Sequence, residues 1–276
     1  MKVLVTGARG QLAGAIIDAY KDSAEVLAYP RQALDIADFD AVMARVRADR
    51  PDVILNCAAF NQVDQAEDEP EKALTVNAFG VRVLARAAAD TGATLVHYST
   101  DFVFDGNASQ PYTEEDLPNP KSVYAQSKLL GEWFASEAPT AFVLRVESLF
   151  GGAAAKSSVD RLAFAIANDQ EAKAFVDRTV SPSYVVDVAA ATKVLVERGQ
   201  PGLYHCVSTG HATWFELAAE IAVVLGKDVE ARLVPVSVES VQLRAPRPRF
   251  AALSNDKLRR LAPMPTWQDA LRRYLA

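Results

Sequence analysis

Alternation of short apolar strands with longer amphipathic helices constrains this chain more than any other feature. Lys2–Thr6 is a β-rich run that ends at Gly7. Gln11–Tyr20 follows with apolar residues at Leu12, Ala15, Ile16 and Ala19, the spacing of one helix face. Glu25–Tyr29, Val53–Asn56, Thr94–Ser99 and Ala141–Val146 read as further strands. Helices are predicted over Asp38–Arg50, Pro70–Asp90 and Val123–Ser136, with Pro70 suited to a first turn. Parallel strands joined by right-handed helical crossovers satisfy this order. The expected fold is therefore α/β, a Rossmann-like doubly wound parallel sheet. Beyond residue 150 the alternation turns irregular, with helices predicted over Val159–Asn168, Tyr184–Arg198, Thr213–Leu225 and Thr266–Leu275 and a strand over Gly202–Cys206. The expected division is a dinucleotide-binding domain over residues 1–147 plus about 178–208, and a smaller interleaved C-terminal lobe over about 148–177 and 209–276.

Composition narrows the function classes. A chain of 276 residues that is 50% hydrophobic and 23% charged is neither disordered nor fibrous. Its 29 basic and 35 acidic residues give a net charge of −6, which argues against a nucleic-acid partner. No apolar run reaches the length of a membrane span and no leader pattern precedes the first strand, so a cytoplasmic location is expected. Cys57 and Cys206 sit far apart in apolar runs and are expected to be buried free thiols, with a disulfide the lesser alternative. No zinc-type spacing exists around His97, His205 or His211, so no metal is expected, and His97 reads as a packed residue within its strand.

The first chemical signal is Thr6-Gly7-Ala8-Arg9-Gly10-Gln11-Leu12-Ala13-Gly14, which leaves a strand and opens a helix. Glycines permit the tight turn and a close backbone approach, and the helix N-terminus offers unpaired N–H groups to a pyrophosphate. The spacing is Gly7-x2-Gly10-x2-Ala13, with Ala in place of a third Gly. The carboxylate that commonly ends the second strand, where it binds a ribose 2′-hydroxyl, is missing; Arg31 stands nearby and could pair with a 2′-phosphate. The reading leans to NADPH, with NADH possible. Tyr124 and Lys128 lie four apart on a predicted helix, so phenol and ammonium share a face. An adjacent ammonium favours the phenolate, making the Tyr an acid–base group and lowering its expected pKa. Ser99 and Thr100 fall at the carboxyl end of the fourth strand, where ligands of doubly wound sheets gather.

Taken together, the glycine turn, Asn56-Cys57-Ala58-Ala59, Asp64-x-Ala66-Glu67, Val76-Asn77-Ala78, Ser99-Thr100-Asp101 and Tyr124-x3-Lys128 resemble the extended short-chain dehydrogenase/reductases. Within them the chain resembles the dTDP-4-dehydrorhamnose reductase family over nearly its whole length. Gly10-Gln11-Leu12, Asp35-Ile36, Ser99 through Gly106, Tyr124-Ala125-Gln126-Ser127-Lys128, Ser181-Pro182-Ser183-Tyr184 and Arg247-Pro248 carry that match.

The resemblance implies an NAD(P)H-dependent reductase of a nucleotide-linked 4-keto-6-deoxysugar, acting in dTDP-rhamnose formation, as a monomer or homodimer. It implies Thr100, Tyr124 and Lys128 as the catalytic triad. Gly10, Gln11 and Leu12 would hold the pyrophosphate and Asp35-Ile36 would lie against the adenine, with Gly7, Arg9 and Arg31 also counted as cofactor-binding. Ala59, Phe60 and Asn61 would border the ribose and nicotinamide, with Ala58, Asn77, Ser99, Tyr124 and Lys128 also cofactor-binding, and Asp101, Phe102, Glu147 and Ser148 would bind the sugar. Two departures fall in the sugar pocket. Many family members read Arg-Thr-Ser-Trp where this chain has Arg145-Val146-Glu147-Ser148, and Thr where it has Asn61. Loss of the Trp removes an aromatic platform, and Glu147 is expected to supply hydrogen bonds instead. A sugar-nucleotide epimerase or dehydratase shares the glycine turn and the Tyr–Lys pair. The regulatory beta subunit of methionine adenosyltransferase also resembles this family, so a non-catalytic role is the alternative from another class.

Overall fold

The computed structural model describes residues 1–153, 155–229 and 233–276. Six strands form one parallel sheet: β1 (Lys2–Thr6), β2 (Glu25–Tyr29), β3 (Val53–Asn56), β4 (Thr94–Thr100), β5 (Ala141–Val146) and, much later, β10 (Gly202–His205). Their order across the sheet is β2-β1-β3-β4-β5-β10. Chain order reverses between β1 and β3, which opens a crevice at the carboxyl ends of those two strands.

Both sheet faces are covered, and period-two alternation in the strands is the reason. Val3 and Val5 of β1 pack with α1 (Gln11–Tyr20) and α8 (Val185–Arg198), while Leu4 points to the other layer with Val42, Val46, Leu84 and Ala88. That second layer holds α2 (Phe39–Asp49), α5 (Gly80–Thr91) and α6 (Val123–Ala135). A separate core, including Phe150, Val159, Val180, Leu217 and Trp267, lies under α7 (Ser158–Ala167), α9 (Trp214–Val224) and the last helix, Trp267–Leu275. After β5 the chain enters this second core, returns to the sheet with α8 and β10, and leaves again. Among the described residues, no helix is long and apolar enough to cross a membrane. Both cysteines are free; Cys206 is buried, whereas Cys57 is half-buried.

One predicted helix is broken. Pro70–Asp90 divides into α4 (Pro70–Leu74), a π-helical turn over Thr75–Phe79, and α5. The cause is tertiary. Buried Asn77 accepts from the Phe60 amide at 2.8 Å, donates to the Phe60 carbonyl at 3.1 Å and to Ser127 Oγ at 3.0 Å. An inward side chain serving a loop seventeen residues away widens the local helical turn. The short helix α3 (Val63–Asp68) and the two- to four-residue strands β6 (Leu149–Phe150), β7 (Ala172–Phe175), β8 (Thr179–Val180) and β9 (Ser183–Tyr184) were too brief for periodicity to register.

Candidate active site

The glycine turn is built as a dinucleotide cradle. Gly7 has φ +63°, and a Cβ there would lie 2.8 Å from the Ala58 backbone. Only glycine allows β1 and the loop after β3 to meet so closely. Gly10 caps α1 without any side-chain bond to its first-turn amides, and the first turn holds no acidic residue. Those N–H groups and the positive end of the ten-residue helix face the crevice as an anion site. Ala13, in the place of a third glycine, is fully buried against the sheet. Gly7→Ala is therefore expected to cost about 1–3 kcal/mol in stability from backbone strain and to weaken dinucleotide binding. Urea unfolding and dinucleotide titration check this; unchanged values would show that the turn tolerates a methyl group.

Two adjoining clefts share this turn. One, of about 490 Å³, runs from Gly10, Gln11 and Leu12 past Ala58, Ala59 and Asn61 to Ser99, Thr100, Asp101, Phe102, Tyr124, Lys128 and Ser148. The other, of about 600 Å³, is lined by Gly7, Arg31, Asp35, Ile36, Phe60 and Asn61, and also by Gln62, Gln65, Glu69 and Lys72. Thus most of the residues singled out in the sequence meet along one groove. Four do not fit as expected. Arg9 is exposed and lies outside both linings. Asn77 sits behind the groove, tying the 58–61 loop to α6 through the bonds given above. Ser99 reaches the cleft, but its hydroxyl is taken by Glu132 Oε1 at 2.5 Å. Glu147 is absent from the lining, since its carboxyl turns inward to accept the Ser181 amide at 2.7 Å.

At the floor of the groove, the Ser122 hydroxyl caps α6 and aims its first turn at the end of β4. Tyr124 and Lys128 are both buried on that helix. Arg145 Nε and Nη2 donate to Glu132 at 2.9 and 2.8 Å, a buried pair that anchors α6 to β5. The Lys128 ammonium donates to the Tyr98 carbonyl at 2.5 Å. Burial pulls its pKa down to about 8, against the attraction of Glu132. Burial also raises the Tyr124 phenol, helped by the Asp101 charge and opposed by a hydrogen bond with Thr100. Here the structure corrects an expectation: Lys128 is occupied with Tyr98, and the net effect on Tyr124 is upward. A raised phenol stays protonated at neutral pH, so Tyr124 carries a proton there. The Thr100 hydroxyl donates to Asp101 Oδ1 at 2.9 Å and accepts the Phe102 amide at 3.2 Å. Phe102 packs edge-on against Tyr124, 5.7 Å between centroids. His97, below them, is neutral through burial and engages Asn56 through Nδ1 at 3.1 Å, so it is a packed residue.

The far rim carries residues that local sequence patterns did not single out. Lys156, Arg161, Arg178 and Trp214 line the same cleft as Tyr124, joined there by Arg247 of the Arg247-Pro248 match. Arg178 and Arg247 also approach the Phe102 ring at 5.7 and 5.8 Å. Ser148 adopts φ +44° and lines the cleft between β5 and β6.

Comparison with known proteins agrees with this geometry. The family model described as the RmlD substrate binding domain matches residues 1–276. A dTDP-4-dehydrorhamnose reductase of Mycobacterium tuberculosis is 36% identical over 284 residues, covering 100% of this chain and 92% of the relative. The spore coat polysaccharide biosynthesis protein SpsK of Bacillus subtilis is 34% identical, covering 99% and 96%. Among solved structures, a dTDP-4-dehydrorhamnose reductase from Bacillus anthracis in complex with NADP superposes with a TM-score of 0.94 at 32% identity, covering 100% of this chain and 99% of that one. A UDP-glucose 4-epimerase from Thermus thermophilus, at 23% identity and a TM-score of 0.82, shares the fold. With a family model spanning every residue and relatives above 30% identity along nearly their whole lengths, the chain belongs to the dTDP-4-dehydrorhamnose reductase family.

Proposed function

We propose that this protein reduces the C4 ketone of a nucleotide-linked 4-keto-6-deoxysugar with NADPH, as in the formation of dTDP-L-rhamnose. The observation that carries the reading is one groove with an anion-binding glycine turn at one end, a protonated phenol at its floor and a cationic rim at the other end. When bound, the reduced nicotinamide supplies the hydride. Tyr124 gives its phenolic proton to the carbonyl oxygen as negative charge develops there, and the Thr100 hydroxyl turns to hold that oxygen. Lys128 holds the ribose beside the nicotinamide. Lys156, Arg161 and Arg178 fit the diphosphate of the sugar nucleotide, and Trp214 offers it an aromatic face. On this reading residues 148–177 and 209–276 form the substrate lobe, closing over a dinucleotide domain made by the rest.

Arg31 supports the phosphorylated dinucleotide. Its side chain, 74% exposed, makes a 3.1 Å pair with Asp35 at the adenosine end of the groove. A surface pair of this kind contributes about 0–1 kcal/mol, so a 2′-phosphate can draw the guanidinium away at little cost. Arg31→Ala is expected to weaken NADPH binding by about 1–3 kcal/mol while barely moving NADH. Equal losses for the two, or none, would make Arg31 a plain surface charge. The function itself is tested by offering purified protein and NADPH a panel of nucleotide-linked 4-ketosugars. Nicotinamide oxidation is expected in a one-to-one ratio with substrate; product formed without net oxidation would indicate an epimerase.

A further inference from the structure

Thr100 pairs with Val146 across the sheet, so the next residues, Asp101 and Glu147, leave neighbouring strand ends side by side. They are 3% and 1% exposed. Their four oxygens divide evenly. Asp101 Oδ1 accepts the Thr100 hydroxyl and Glu147 Oε2 accepts the Ser181 amide, while Asp101 Oδ2 and Glu147 Oε1 are buried without a partner. Two such oxygens on adjacent carboxyls are costly if both groups are ionised and comfortable if one proton lies between them.

The surrounding charges favour a single ionisation. Arg178 attracts both carboxyls, although its Nε is committed to the Pro248 carbonyl at 3.2 Å. Arg247 lies beyond it, paired with Asp64 at 2.7 Å, and Tyr124 faces Asp101. One guanidinium balances one carboxylate, which leaves the other carboxyl to keep its proton. Burial, reinforced by the Asp101 charge, holds Glu147 well above the usual carboxylate range, whereas burial brings Asp101 only to about 6.

Building on the reductase reading, we propose that Glu147 is kept as a neutral carboxylic acid whose Oε1–H donates to Asp101 Oδ2, which makes it a positioning residue for the Asp101–Thr100 pair. Asp101 then accepts on both oxygens, its carboxylate plane is fixed, and the Thr100 hydroxyl is kept on Asp101 Oδ1 in the resting protein, in place beside Tyr124 to turn to the carbonyl oxygen when substrate binds. Glu147 acts from behind the cleft and gives up no proton during turnover. The Ser181 amide, donating to the other oxygen, marks Oε2 as the carbonyl of the acid.

Glu147→Gln tests this because an amide mimics a neutral acid. Its oxygen can accept from Ser181 and its NH2 can donate to Asp101, so kcat is expected to stay close to wild type. Glu147→Ala strands Asp101 Oδ2 and is expected to lower kcat about ten- to hundredfold, with dinucleotide affinity and KM little changed. Infrared spectra of the resting protein at neutral pH should show the carbonyl stretch of a protonated carboxylic acid in wild type and lose it in Glu147→Gln. A wild type without that band, a Gln variant as impaired as the Ala variant, or a fully active Ala variant overturns the proposal. The band is read without substrate or dinucleotide, so it stands or falls separately from the reductase reading, which inactivity of the wild type on every ketosugar would sink instead.

Discussion

Tyr124→Phe is expected to lower turnover by about 10²–10⁴-fold and to leave dinucleotide affinity intact. The phenol is buried at the groove floor, and burial with the nearby Asp101 charge keeps it protonated through the neutral range. Hydride arrival at a ketone carbon makes an alkoxide that must be quenched, and on the proposed function Tyr124 is the acid that quenches it. The ring itself remains in Phe, so its edge contact with Phe102 and the groove shape persist. The cradle at Gly7 and Gly10 is untouched, which is why binding should survive. Steady-state kinetics on a reduced ketosugar and a dinucleotide titration separate the two effects. Full activity in the Phe variant would remove Tyr124 from the proton-donor role.

The second large effect is expected for Lys128→Met, which should damage turnover and dinucleotide affinity together. The ammonium is assigned to hold the ribose, and a thioether of similar length keeps the packing without the charge. Its pKa, lowered by burial to about 8, sets the pH dependence. Lys128 is cationic below about 8 and neutral above it, so turnover should decline as pH rises through that value and the Met variant should lack the decline. Stability runs the other way. Between about 8 and the ordinary lysine value of 10.5 the unfolded chain binds the proton more tightly, so this group makes the protein more stable as pH increases. Lys128→Met should therefore fold at least as well as wild type at neutral pH. A variant that is inactive only because it unfolds would contradict this assignment.

Local pattern made much of this legible. Strand–helix alternation, glycine punctuation and a Tyr–Lys pair four apart are short-range signals, and the sheet, cradle and groove floor follow from them. Where the sequence misled, long-range contacts decided. Nothing within a few residues of Asn77 reports that its amide serves Phe60 and Ser127, yet those bonds turn a regular helix into a π turn and place Asn77 behind the groove. The family resemblance implies Glu147 at the sugar, beside Ser148, but an amide 34 residues away draws its carboxyl inward. The cationic rim escaped for the same reason. Lys156 and Arg161 around the start of α7, Arg178 before β8 and Trp214 at the start of α9 come from three separate segments, and scattered basic residues carry no spacing to read. Arg178 stands just before Ser181-Pro182-Ser183-Tyr184, the stretch whose resemblance to the family held the best hint.

On the proposed function, a hydride passes from NADPH to sugar C4 in this groove. The direct measurement supplies NADPH deuterated at the transferable position together with dTDP-4-dehydrorhamnose, and follows product by mass spectrometry and NMR. One deuterium is expected at C4 of the sugar for every NADP⁺ formed, with Tyr124→Phe slowing the transfer and leaving its position unchanged. Product without deuterium, or NADPH bound and unchanged beside intact substrate, would contradict it.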